Sequence, residues 1–256
     1  VPTFPRLIAF DLDDTLAASK APIDARVAGE LVELARFMDV CIISGGQFGQ
    51  FRSQVLDRLP AASEQMLARF HLMPTCGTQY YRWSSGDWAQ VYAENLTNDE
   101  KDRALASVEG AARALDLWES HTWGPILEDR GSQVTFSALG QAAPVAAKAA
   151  WDPTGDKKNR LRDAVTVLVP DLEVRSGGST SIDITRKGID KAYGMKRLAA
   201  ITTVPLSEMF FVGDRLDEEG NDYPVKLLGV PCREVEGWHE TAEFLDDFLA
   251  RLRAAA

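Results

Sequence analysis

Short apolar runs, each ending in a polar or glycine-bearing turn, govern what this chain can fold into. The runs at 7–10 (LIAF), 40–43 (VCII) and 209–212 (MFFV) end respectively at Asp11, at Ser44-Gly45-Gly46 and at Gly213-Asp214. Segments this short, and apolar at every position, fit strands buried on both faces, as in a parallel sheet covered by helices. Helical spacing follows the strands. Asp24 can cap a helix carrying Val27, Leu31, Leu34 and Ala35 on one face, and Phe48, Phe51, Val55 and Leu59 recur at similar intervals. Strand and helix in alternation, with short connections, imply a parallel sheet with right-handed crossovers.

The middle of the chain reads differently. Strands are expected at 79–83, 88–93, 133–139, 173–175 and 181–185, with helices at 99–118 and 157–168 between them. Paired strands with separate helices suggest an α+β unit on an antiparallel sheet. Tryptophans 83, 88, 118, 123 and 151 fall here and are expected to build its core and interface. After Gly188 the first pattern returns, with a helix at 193–198, a strand at 230–235 and an amphipathic helix at 240–253. The expected fold class is therefore α/β, a Rossmann-like core with a parallel sheet from 1–80 and 188–256. An α+β domain with an antiparallel sheet is inserted at 81–187.

Composition narrows the function. A net charge of −10 argues against nucleic-acid partners and anionic membranes, where a basic face is expected. No 18-residue apolar run occurs, and the opening VPTFPRLIAF lacks a signal-peptide pattern. The cysteines, Cys41, Cys76 and Cys232, are scattered and fit neither a disulfide framework nor a zinc site. A reducing cytoplasm is the expected compartment, and any metal should be held by oxygen.

Chemistry concentrates where the core strands end, the side on which open α/β sheets bind ligands. Asp11-Leu12-Asp13-Asp14-Thr15 follows the first run, and in extended chain Asp11 and Asp13 share a side. One carboxylate can attack a phosphoryl group, while the other protonates the leaving oxygen and then activates water. The Ser44 hydroxyl and the Gly45 backbone can hold a phosphoryl oxygen. Lys191, at a helix start, can offset repulsion between carboxylate and phosphate. Asp214 together with Asp11 can bind Mg²⁺. Taken singly, each has an ordinary alternative as a helix cap, a loop residue or a surface charge. A P-loop is excluded, since no GxxxxGK[ST] occurs.

In this order, DLDDT, IISGG, Lys191 and GDRLDEEGND resemble the four motifs of the haloacid dehalogenase superfamily. The inserted domain resembles its large α/β cap (type IIB). The resemblance implies Asp11 as nucleophile, Asp13 as acid/base, and Ser44 and Lys191 as phosphate holders. It also implies a Mg²⁺ site made by Asp11, Asp214, the backbone carbonyl of Asp13 and supporting Asp222. Within the cap, EDRGSQVTFSALGQ (128–141) and GGSTSIDITRKGIDK (177–191) resemble substrate-recognition segments of eukaryote-type phosphomannomutases. By that match Arg130, Ser181 and Asp183 would touch a sugar phosphate.

Departures from that family weaken the expected grip on a second phosphate. Lys20, Gln141 and Lys148 stand where the mutases carry arginines, and each lost guanidinium–phosphate contact removes about 1.5–3 kcal/mol. The expected function is thus a Mg²⁺-dependent phosphatase for a sugar phosphate or similar small phosphorylated metabolite, acting through an aspartyl phosphate. A hexose phosphomutase is the alternative, and a non-catalytic sugar-phosphate binder a third reading. The oligomeric state, a cap-mediated dimer included, is left open by the sequence.

Overall fold

The computed structural model describes residues 4–255. The chain begins with β1 (Leu7–Phe10), α1 (Ala25–Leu34), β2 (Asp39–Ile43), α2 (Phe48–Gln54), α3 (Glu64–Leu67) and β3 (Phe70–Met73). A hairpin follows, β4 (Gln79–Ser84) and β5 (Asp87–Ala93). The middle contains α4 (Asn98–Ala114), β6 (Leu127–Asp129), β7 (Gln133–Ser137), α5 (Val145–Trp151), α6 (Asp156–Leu168), β8 (Leu172–Ser176) and β9 (Ser181–Arg186). The chain then returns through α7 (Lys191–Thr202), β10 (Met209–Gly213), α8 (Tyr223–Leu227), β11 (Cys232–Glu234) and α9 (Trp238–Ala255).

The core sheet runs in the order β11-β10-β1-β2-β3-β4-β5, parallel from β11 to β3 and antiparallel between β3 and β4. Its strands are apolar throughout because both faces are covered. Ile8, Phe10, Val40, Ile42 and Leu72 pack with residues of α1 and α9 such as Leu31 and Leu245. Their alternates Leu7, Ala9, Cys41, Ile43 and Met73 pack with Met195 and Leu198 of α7. Asp24 caps α1 as expected, accepting the Arg26 N–H at 2.8 Å.

The middle domain is an antiparallel sheet in the order β6-β7-β9-β8. Val134, Phe136, Val174, Ile182 and Ile184 form its apolar side with Leu161 and Val165 of α6 and Val108 of α4. Strand alternation puts Glu128, Gln133, Thr135, Glu173, Arg175, Asp183 and Thr185 on the opposite, polar side.

Two differences from the sequence reading stand out. The chain divides into residues 1–92 with 190–256, and residues 93–189, so the hairpin expected in the inserted domain belongs to the core sheet. The cause is aromatic packing. Trp88 meets Phe70 of β3 edge to face at 6.4 Å and Trp83 at 5.3 Å, fastening both strands to the parallel sheet's edge. Ser85 and Gly86 make the tight turn, with φ of 54° and 85°. The second difference is β3, which apolar patterning did not announce because His71 interrupts it. That imidazole is buried and its Nδ1 lies 2.8 Å from the Tyr80 hydroxyl, so a polar residue is accommodated mid-sheet. The strand at 230–235 is shorter than expected and α9 longer, and no helix among the described residues is long and apolar enough to cross a membrane.

Candidate active site

Parallel register brings three chain segments to one end of the core sheet. Phe10 lies opposite both Ile42 and Val212, so Asp11, Ser44 and Asp214 emerge together from β1, β2 and β10. The Asp11 N–H still donates to the Val212 carbonyl at 3.0 Å, which fixes its backbone to the sheet. Lys191 opens α7, whose N-terminus Asp190 caps through the Tyr193 N–H at 2.8 Å. A Cβ at Gly194 would come within 2.4 Å of Ile43 Cδ1 and 2.7 Å of the Cys76 carbonyl oxygen. Glycine there is what lets α7 approach β2 closely enough to deliver Lys191.

A buried charge cluster results. Lys191 Nζ lies 2.7 Å from Asp11 Oδ1 and 2.5 Å from Asp222 Oδ1, and all three residues are at most 4% exposed. Asp214 joins them, one carboxylate oxygen each of Asp11, Asp214 and Asp222 lying within 4.8 Å of the others. Thr15 Oγ1 donates to Asp214 Oδ1 at 3.3 Å, and the Arg215 N–H to Asp222 Oδ2 at 3.2 Å. Burial pushes the Asp11 carboxyl well above the usual range against the pull of Lys191, and Asp222 and Asp214 add to the rise. Asp214 is raised for the same reason, burial first and then Asp222. Lys191 is held cationic by Asp11 and Asp222, which outweigh its burial.

Three carboxylates against one ammonium leave two negative charges unbalanced when all are ionised. An all-oxygen donor set with that deficit fits a hard divalent cation such as Mg²⁺. The side chain of Asp13 lies outside this set. Lys20 Nζ is 2.6 Å from its Oδ2, the Lys20 N–H donates to Oδ1 at 2.7 Å, and Gln54 Nε2 donates to Oδ1 at 3.2 Å. Burial would raise this carboxyl, but the Lys20 charge and hydrogen bonds together hold it below its usual value. Lys20, expected to touch substrate, is therefore spent on Asp13. The buried Ser44 hydroxyl accepts the Gly46 N–H at 3.1 Å, which leaves its own hydrogen for a ligand, with Gly45 between them.

The middle-domain residues form a separate group. Arg130 is buried, and its Nε and Nη2 donate to Glu128 Oε2 at 3.0 and 2.6 Å. Asp183 Oδ1 accepts from Thr135 Oγ1 at 2.7 Å, and Ser181 lies opposite Ser137. Lys148 Nζ donates to the Gln141 carbonyl at 2.9 Å, so these two are brought together. Trp118 and Trp151 pack on the domain's apolar core, whereas Trp123 is 46% exposed.

Comparison with known proteins agrees with this architecture. Residues 144–224 match the family model of the haloacid dehalogenase-like hydrolases. A phosphomannomutase of Encephalitozoon cuniculi is 23% identical over 86% of this chain and 83% of its own length. A probable phosphomannomutase of Caenorhabditis elegans is 23% identical over 96% of both chains. Among solved structures, an IMP-nucleotidase of Plasmodium falciparum superposes with a TM-score of 0.72 at 12% identity. That match covers 95% of this chain and 66% of the nucleotidase chain. The chain is thus similar to haloacid dehalogenase-like hydrolases over residues 144–224 and to phosphomannomutases over most of its length, and these likenesses indicate an enzyme.

Two site residues escaped the sequence reading. Thr15 sits inside the DLDDT motif, where the acidic residues carry the chemical signal and a hydroxyl does not. Gln54 lies 41 positions from Asp13 at the end of an unremarkable amphipathic helix, and nothing in its spacing marks it.

Proposed function

We propose that this enzyme hydrolyses the phosphate monoester of a sugar or similar small polyol, with the domain at 93–189 reading the substrate. The observation that carries the chemistry is the Asp11–Lys191–Asp222 ion cluster with Asp214 beside it. In the proposed sequence an Asp11 carboxylate oxygen attacks phosphorus, the ester P–O bond breaks, and the leaving oxygen takes a proton from Asp13. Asp13 must first acquire that proton from solvent, because Lys20 favours its ionised form. Water then attacks the aspartyl phosphate, giving its proton to Asp13, and the bond from Asp11 to phosphorus breaks to release phosphate. Lys191 offsets the negative charge that phosphate brings to Asp11, and Ser44 donates to a phosphoryl oxygen. Asp11, Asp214 and Asp222, with the Asp13 carbonyl, would hold Mg²⁺, which neutralises phosphoryl charge when bound.

Hydrolysis is favoured over mutase action by how the middle domain uses its charges. A mutase must grip a hexose bisphosphate in two orientations. On the polar side of this sheet Arg130 is paired with Glu128 and Arg175 with Glu173 at 2.9 Å, and Asp183 adds a carboxylate. Phosphomutase action is the second reading, supported by relatives of that name across most of the chain. Phosphorus NMR of mannose 1-phosphate, with and without a hexose bisphosphate, separates the two. Release of free phosphate is expected, whereas conversion to the 6-phosphate without release would overturn hydrolysis.

A further inference from the structure

The segment joining β1 to α1 returns to the start of its own loop. Lys20 has φ of 61°, a left-handed conformation that a lysine adopts only where the surroundings hold it. That turn allows both its N–H and its Nζ to reach Asp13, one to each carboxylate oxygen. The third donor comes from another element. Gln54, the last residue of α2, is 4% exposed, and its Nε2 bridges Asp13 Oδ1 at 3.2 Å and the Ala21 carbonyl at 2.9 Å. Its Oε1 is buried with no partner among the described residues, so the amide is oriented by what its nitrogen holds. The Ile23 N–H donates to the Gln54 carbonyl at 2.8 Å, tying the loop to α2 a second time.

We propose that Lys20 and Gln54 are positioning residues that fix the direction of the Asp13 carboxylate. On this assignment Lys20 is not a substrate contact. The proposal rests on the reading of Asp13 as acid/base. A surface lysine paired to a surface aspartate would do no such work. Here the ammonium contact is joined by a backbone donor and a buried amide, so rotation of the carboxylate costs three hydrogen bonds at once. Misplacing a proton-transfer group by an ångström is enough to cost about 10²-fold in rate.

Steady-state and burst kinetics on the full chain with Mg²⁺ test this. Lys20→Met is expected to lower kcat on an alkyl phosphate ~10- to 100-fold with KM changed less than ~2-fold. An aryl phosphate, whose phenolate leaves without a proton, should show a rapid first release of phenol followed by slow turnover, because water attack still needs Asp13 as base. Lys20→Arg should restore most of the loss, and Gln54→Leu should shift kcat in the same direction. A rise in KM for sugar phosphates with kcat unchanged would return Lys20 to substrate binding and sink the proposal, as would unchanged kinetics or a missing burst. Asp13→Asn is the control for the reading beneath. If Asp13→Asn keeps full kcat, the acid/base role itself fails. Loss in Asp13→Asn with none in Lys20→Met defeats only the positioning. Thermal unfolding of each variant shows that folding is kept.

Discussion

At the carboxyl end of the core sheet Lys191 is outnumbered by Asp11, Asp214 and Asp222, whereas in the middle domain Arg130 pairs with Glu128 and Arg175 with Glu173. The first arrangement is incomplete by itself. The Asp11 and Asp214 carboxyls are pushed up chiefly by burial, and the neighbouring Asp222 adds to the rise. In the second arrangement each of these arginines already has a carboxylate partner, so an incoming phosphate gains little from it unless a pair is broken. Thr135, Ser137, Gln133 and Ser181 add hydroxyl and amide groups to the same side of the middle-domain sheet. On the proposed function the first region would bind charge and the second hydroxyls, and the two should respond to substitution very differently.

The largest effect is expected at the unbalanced end. Asp11→Asn should lower phosphate release by at least ~10³-fold while the protein unfolds at a similar temperature, since the nucleophile is lost and not the fold. Substantial remaining turnover would remove Asp11 from that role. Cation binding is the next measure of the imbalance. Mg²⁺ at about a hundred times its Kd should raise the wild-type Tm by roughly 5–10 °C, and chelation should abolish turnover reversibly. Asp214→Asn should lose most of that Mg²⁺-dependent rise. A Tm that ignores Mg²⁺ in the wild type would mean that the cluster balances its charge in some other way.

That the core site could be read from the sequence and the rest only in part has a physical cause. Asp11, Ser44 and Asp214 sit one or two steps beyond short apolar runs that parallel register aligns, and Lys191 sits at a capped helix start. Lys20 could not be read that way. Its contact with Asp13 depends on a left-handed turn and on Gln54, neither of which leaves a periodic trace. Alternation predicts the strands of the β4–β5 hairpin but not their partner, so the sequence places the hairpin in the inserted domain and the structure places it on the core sheet. Packing of Trp83 and Trp88 at the edge of β3 decided that. Glu128 and Arg130 stand two residues apart in EDR, so strand alternation puts them on one side, where they pair.

Middle-domain substitutions should have smaller and more selective effects. Arg130→Ala should weaken turnover of the sugar phosphate by ~10- to 100-fold and leave a small aryl phosphate nearly unchanged, if Arg130 exchanges Glu128 for substrate. Equal losses on both substrates would show that this arginine only supports its own hairpin. Glu128→Gln is the complementary variant, expected to improve competition by a hexose bisphosphate because it releases Arg130 from its carboxylate.

The smallest effect expected is on stability alone, and it takes the comparison away from any ligand. On α1, Arg26 is shared by Glu30 and by Asp246 of α9, so two carboxylates again face one cation. Glu30 is 7% exposed, and burial, reinforced by Asp246, pushes its carboxyl up to about 7 despite Arg26. A group whose folded value lies above its unfolded one holds its proton more tightly in the folded state. Its contribution is therefore complete below about pH 4.5 and is lost as pH rises through about 7. Glu30→Gln keeps the shape and removes the titration. At pH 5 the variant and the wild type should unfold at similar temperatures. At pH 8 the variant should be more stable by ~2–4 °C, a modest gain because Arg26 and solvent screen part of the charge. Identical pH dependence in the two proteins would show that the Arg26 pair already satisfies Glu30. Unbalanced carboxylates would then be costly in this fold only where they are fully enclosed, as around Lys191.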